Sequence, residues 1–189
     1  MKRGAVKEQG TMTTEEYLQT PETNRPAELI YGVLRVADSP FAPHQAAVLD
    51  LTLALVQHVR EKGLGEIWVS PLDVILDPVR HLIVQPDLFF VSTARSHIVS
   101  DRVQGAPDLV VEVLSPRPRI GTLDERLRWF AQYGVRECWL LHQLEREMEV
   151  LAFRDGAVSG RHSFGPGSPL QSDVLPEFTR TPGSMLRWS

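Results

Sequence analysis

Apolar and polar positions alternate in short bursts along most of this chain, and the bursts change period from place to place. Thr13-Thr14-Glu15-Glu16-Tyr17-Leu18 opens with threonine ahead of two glutamates, a helix-start signal. Pro21 to Pro26 is rich in breakers and predicts a loop. Two short β-prone runs within Glu28 to Val36 flank Tyr31-Gly32 and predict a hairpin. From His44 to Lys62 the apolar residues Val48, Leu49, Leu51, Leu53, Leu55, Val56 and Val59 fall mostly three or four apart. That spacing predicts a long helix, stopped by Gly63 and Gly65. Strands are expected at Glu66 to Ser70, Leu72 to Leu76 and Pro86 to Val91, with Asp77-Pro78 as a turn and a short helix plus loop over Ser92 to Arg102.

The run Asp108 to Leu114 is nearly all apolar, as in a central strand buried on both faces. Two prolines make Ser115 to Arg119 a loop. Thr122 to Tyr133 predicts an amphipathic helix closed by Gly134, and Glu137 to His142 and Arg146 to Phe153 two more strands. A hairpin is expected around Asp155-Gly156, followed by a weakly structured tail. The order of elements predicts an α/β (α+β) domain, a mixed sheet flanked by helices. Its expected parts are a loose extension over residues 1–12, the domain over 13–160 and a Gly/Pro-rich tail over 161–189. No internal repeat is visible.

Composition adds limits. The 189 residues suit one domain, and 42% apolar content supports a core. A net charge of −4 argues against a bulk nucleic-acid binder, so any contact with DNA must use a local basic surface. The single cysteine, Cys138, excludes an internal disulfide and a cysteine zinc cluster, and predicts a cytoplasmic setting. No apolar run is long enough for a membrane span, and Met1 to Gly10 lacks the apolar stretch of a secretory leader. Glycine-rich phosphate loops, Gly-x-Ser-x-Gly elbows and HExxH pairs are absent.

Two acids stand out. Glu112 lies inside Leu-Val-Val-Glu-Val-Leu, where a buried charge is costly unless it is paired or bound to a metal. It either does such work or reaches water or an arginine at a strand edge. Asp87 opens the Pro86 to Val91 strand. Two adjacent strands can bring such acids together, and a hard cation such as Mg²⁺ relieves their repulsion. A glycosidase also works with two acids, but no aromatic-rich sugar cleft is evident. His44 reads as a surface or cap-adjacent residue in preference to a proton carrier in the acidic cleft. Asp73 reads as a solvent-facing strand residue, and Trp68 and Trp139 as core or interface aromatics. Cys138 reads as a small buried hydrophobe.

Three motifs together, Gln85-Pro86-Asp87, Glu112-Val113-Leu114-Ser115-Pro116 and Tyr133 to Trp139, resemble the Uma-type family of restriction endonucleases in the PD-(D/E)xK superfamily. The resemblance covers roughly residues 12–153. It implies a restriction-endonuclease-like fold that hydrolyses DNA phosphodiesters with Mg²⁺ or Mn²⁺. Asp87, Glu112 and the Val113 carbonyl would be the metal ligands, and Glu28 would complete the acidic site. It also implies a homo-oligomer, a dimer for cutting two strands, with the strand Glu137 to Leu141 near an interface. One residue departs from the pattern. Leu114 stands where the superfamily has lysine, and where the Uma-type family moves that lysine to the next helix this chain has Arg126. Lysine occurs only at Lys2, Lys7 and Lys62, so none is at hand. Arginine keeps the charge but cannot carry a proton. Arg126 is thus either part of the site or a solvated residue paired with Glu125. The departure leaves a second expectation open, a catalytically silent binding or oligomeric module. Arg117, Arg119 and Arg128 follow Glu112 closely and are candidates for contacting a phosphate backbone.

Overall fold

The computed structural model describes residues 11–21, 25–114 and 122–187. Most of the extension over 1–12 and the Ser115 to Arg119 loop lie outside the described residues. Helix α1, Thr14–Leu18, starts on a capping box in which the Thr13 hydroxyl accepts from the Glu16 amide and the Glu16 carboxylate accepts from the Thr13 amide. Strands β1, Ala27–Ile30, and β2, Val33–Val36, form the expected hairpin. Its turn holds Tyr31 and Gly32 at φ of 50° and 84°. Positive φ at both central residues matches the twist of the strands, and glycine takes the second at no steric cost. Helix α2, Ala42–Lys62, ends on Gly63 in the left-handed conformation.

The mixed sheet expected from the sequence is two sheets. The first has five strands in the order β2-β1-β5-β4-β7, where β4 is Val74–Asp77, β5 is Leu82–Val84 and β7 is Val103–Gln104. The second has six in the order β11-β10-β9-β8-β6-β3. Its members are β3 (Gly65–Val69), β6 (Leu88–Ser92), β8 (Leu109–Leu114), β9 (Glu137–His142), β10 (Glu147–Arg154) and β11 (Ala157–Phe164). Each sheet is mixed: β4 runs parallel to β7 and β8 parallel to β9, and the other pairs are antiparallel. Asp77 begins the expected turn, which joins β4 to β5, a strand not expected from the sequence. The short helix expected after β6 is a 3-10 helix, Thr93–Ile98.

Side-chain alternation sorts the core into layers. Phe89, Val91, Val110, Cys138 and Leu140 of the six-stranded sheet meet Ile30, Val74, Leu82 and Val84 of the five-stranded sheet, together with Leu127 and Phe130 of helix α3, Leu123–Tyr133. The opposite face of the six-stranded sheet, with Leu88, Phe90, Leu109, Val111 and Trp139, packs under Leu51, Leu55 and Val59 of α2. The outer face of the five-stranded sheet is covered by Tyr17 of α1 on Leu29, Ile75 and Ile83.

Two expectations are corrected. Strand β9 is an interior strand between β8 and β10 with Trp139 fully buried, so Glu137 to Leu141 lies in the core and not near a surface interface. Residues 162–187 are not a weakly structured tail. Leu170, Val174, Leu175, Phe178, Met185 and Leu186 bury themselves against α2 and the six-stranded sheet, and Thr181 caps a short helix α4, Pro182–Met185. Polar anchors fix that segment. Ser172 Oγ and the Asp173 amide donate to Glu137, and Arg187 donates to Asp50 on α2 at 2.7 Å.

Candidate active site

Strands β6 and β8 pair with Leu88 opposite Val111 and Phe89 opposite Val110. Carrying that register one residue further sets Asp87 across from Glu112. Asp87 is held at this spot by two donors on one oxygen. The Val113 amide donates to Oδ2 at 2.8 Å and His44 Nε2 donates to the same atom at 3.2 Å. Proline before Asp87 keeps its entry extended, and the Ser70 amide donates to the Asp87 carbonyl.

Glu112 points into the layer between the sheets, because it shares the face of Val110. Its partner there is Arg126, one turn into α3. That helix begins on a second capping box, Thr122 with Glu125, which sets where its first inward residues fall. The guanidinium spans two carboxylates. Nη1 donates to both oxygens of Glu28 at 2.8 Å, and Nε and Nη2 donate to Glu112 Oε1 at 3.0 and 2.6 Å. Glu28 lies in β1 and is buried, and it also accepts from the Gln85 amide at 2.8 Å. Phe130, one helical turn on, puts its ring 5.6 Å from the Arg126 guanidinium carbon.

Arg126 is therefore neither a solvated residue nor a partner of Glu125. It is 11% exposed and links the five-stranded sheet to the six-stranded one through an acid on each. Burial pushes the Glu112 carboxyl up to about 7. The Arg126 charge opposes the rise, and the charges of Asp87 and Glu28 add to it. The flanking acids hold the Arg126 guanidinium firmly protonated against its burial.

Asp73, expected to face solvent, and His44, expected at the surface or beside the helix cap, are both buried, with His44 in the first turn of α2. His44 is 6% exposed, and its Nδ1 has no partner among the described residues. It borders a cavity of about 350 Å³ with Asp87, Pro40, Val48, Ser70 and Pro71 on the walls. Asp73 is buried too, accepting from Tyr17, Gln85 and Arg102. Gln85 joins it to the acidic site, donating its side-chain amide to Asp73 and its backbone amide to Glu28. At both positions a polar residue type goes with burial, because neighbouring groups hydrogen-bond to it. For His44 a usable signal existed, since a histidine at the start of a long core helix reaches the end of the sheet that helix covers. Of the expected phosphate contacts, Arg128 is exposed on α3, and Arg117 and Arg119 lie outside the described residues.

The donor set bears on which cation fits. Both Glu28 oxygens and Glu112 Oε1 face the guanidinium, and Asp87 Oδ2 faces the Val113 amide and His44. Among the described residues, no three His, Cys, Asp or Glu side chains group as a metal cage, and no hydrogen bond reaches Asp87 Oδ1 or Glu112 Oε2. Magnesium usually takes one or two protein carboxylates and keeps several waters. Asp87 and Glu112, at facing strand positions, are the two carboxylates such an ion would use, with Glu28 serving Arg126 instead.

A buried acidic cluster at the paired ends of β6 and β8, in two mixed sheets flanked by helices, belongs to a nuclease-like fold. The crystal structure of a putative nuclease belonging to DUF820 from Anabaena variabilis ATCC 29413 shares it with a TM-score of 0.80. That match is 18% identical and covers 94% of this chain and 98% of that one. The chain belongs to the Uma2 family, described as "putative restriction endonuclease", which matches residues 14–183. No curated relative matches. No helix among the described residues is long and apolar enough to cross a membrane.

Proposed function

We propose that the chain is a metal-dependent endonuclease that hydrolyses DNA phosphodiester bonds, with Asp87 and Glu112 holding Mg²⁺ or Mn²⁺. The observation that carries this reading is the pair of acids at facing positions of β6 and β8, each with one carboxylate oxygen held by a described neighbour. A bound divalent ion would neutralise charge on the phosphate and activate a water. The protein's own groups do the rest. The Val113 amide and His44 fix the rotamer of Asp87, and Arg126 fixes that of Glu112. Arg126 is buried and permanently charged, so it orients acids and carries no proton. The Val113 carbonyl as a third ligand comes from the family pattern. Arg117, Arg119 and Arg128 are the groups assigned to the DNA backbone. A homodimer that cuts both strands, and a cytoplasmic setting, belong to the same reading.

Supercoiled plasmid incubated with the protein and Mg²⁺ or Mn²⁺ tests it. Nicked and linear products are expected from the native chain and none from Asp87→Asn. No product with any metal, together with no heat of metal binding, overturns the reading.

One observation favours a second reading, a catalytically silent module that binds DNA or a second copy. Arg126 already satisfies two of the three acids. Arg126→Lys separates the two. Continued inactivity supports the silent module, and a gain of cleavage identifies an enzyme slowed by its arginine.

A further inference from the structure

We infer that the Arg126 guanidinium is a resident counter-cation of the acidic site, and that a divalent ion enters only in competition with it. The inference rests on the reading above that Asp87 and Glu112 take a metal, and it concerns how that metal is admitted.

Three facts carry it. First, the guanidinium uses Nε, Nη1 and Nη2 on carboxylates alone, and these meet three of the four oxygens of Glu28 and Glu112. A planar fork can span two acids in this way, whereas a lysine ammonium is a single point on a flexible stem. Second, Arg126, Glu28 and Glu112 are 11%, 3% and 12% exposed at the side chain, so solvent screens their charges little. A second cation placed beside Glu112 meets the full repulsion of the first. Third, Phe130 backs the guanidinium and Glu28 is anchored by the Gln85 amide, which fixes the position of Arg126 from both sides. The protein thus keeps its acid cluster folded without a metal. The cost is weak metal affinity, and Arg126 acts as a positioning residue that sets that affinity.

Titration of the full-length chain with Mn²⁺ alone, followed by calorimetry and by the paramagnetic signal of free ion, tests this without DNA. Arg126→Gln removes the charge and keeps hydrogen-bonding capacity. It is expected to bind Mn²⁺ at least tenfold more tightly than the native chain, and to melt lower without metal but gain more from Mn²⁺. Adding Asp87→Asn to Arg126→Gln should abolish the gain, which locates it at the site. Arg126→Lys, expected to bind with intermediate affinity, keeps the test decisive if the glutamine variant does not fold. A native chain that binds Mn²⁺ as tightly as these variants overturns the inference and leaves the nuclease reading standing. Variants that bind more tightly than the native chain, while the native chain itself never cuts plasmid with any metal, support the inference and overturn the nuclease reading. No binding by any variant overturns both.

Discussion

Glu112 carries two opposed demands on one carboxyl group. The layer between the sheets disfavours its charge, and Arg126 favours it. Burial wins, so the folded protein holds the Glu112 proton up to a pH of about 7, where an ordinary glutamate releases it near 4.5. The folded state therefore binds this proton more tightly than the unfolded state. The stability this contributes is fully present below about pH 4.5 and is lost as pH rises through about 7. The full swing is on the order of 3 kcal/mol. Urea unfolding of metal-free protein from pH 4 to 8 checks it. Glu112→Gln is expected to flatten that part of the fall, and an unchanged slope in the variant rules Glu112 out as its source. At this scale the sequence was informative about the acids and silent about their partners. A glutamate in an apolar strand and an aspartate after proline are visible as anomalies. That Arg126 bridges Glu112 and the distant Glu28 depends on three elements meeting, which no local pattern encodes. The burial of Asp73 is equally hidden from local pattern, whereas that of His44 follows from its place at the start of a core helix. Their burial is made tolerable by Tyr17, Gln85 and Arg102 in one case and by Asp87 in the other.

Helix α3 is the element on which the site turns. Its sequence declares it plainly, with threonine three residues ahead of glutamate at one end and glycine at the other. Position matters as much as existence, because Arg126 must enter the inter-sheet layer at the level of Glu112. Thr122→Ala removes the cap hydroxyl and is expected to cost about 1 kcal/mol in urea unfolding. It should also weaken the Arg126 clasp, seen as a larger loss than the same change at Thr13 produces. Equal losses would mean that the start of α3 is held by packing alone. The strands were less legible than the helices. The turn after β4 is legible, but β5 beyond it has only three residues, too few to show an alternation. Strand β11 is largely exposed and polar, so it lacks an apolar alternation and exists through its ladder to β10, which absorbs a bulge at Ala152 and Phe153.

At the scale of the whole molecule, one expected sheet became two because apolar alternation fixes which residues face inward without fixing which strands pair. The stacking of the sheets is what puts Glu28 within reach of Arg126. The C-terminal residues were hidden by their glycines and prolines, yet they pack beside α2 on the six-stranded sheet. Phe178 is their main anchor, with its ring centroid 5.3 Å from that of Trp139 and 5.1 Å from that of His58. Phe178→Ala is expected to cost about 3–5 kcal/mol, in line with other buried phenylalanines, and urea unfolding measures it. A loss under about 1 kcal/mol would show that this segment adds nothing to the core.

Cys138 lies in the layer between the sheets, with no exposed surface and its thiol held protonated by burial. Being the sole sulfhydryl, it makes the protein its own gauge of breathing. A reagent that modifies it has reached the interior that houses the acids, so the pace of its alkylation times how often the two halves of the sandwich come apart.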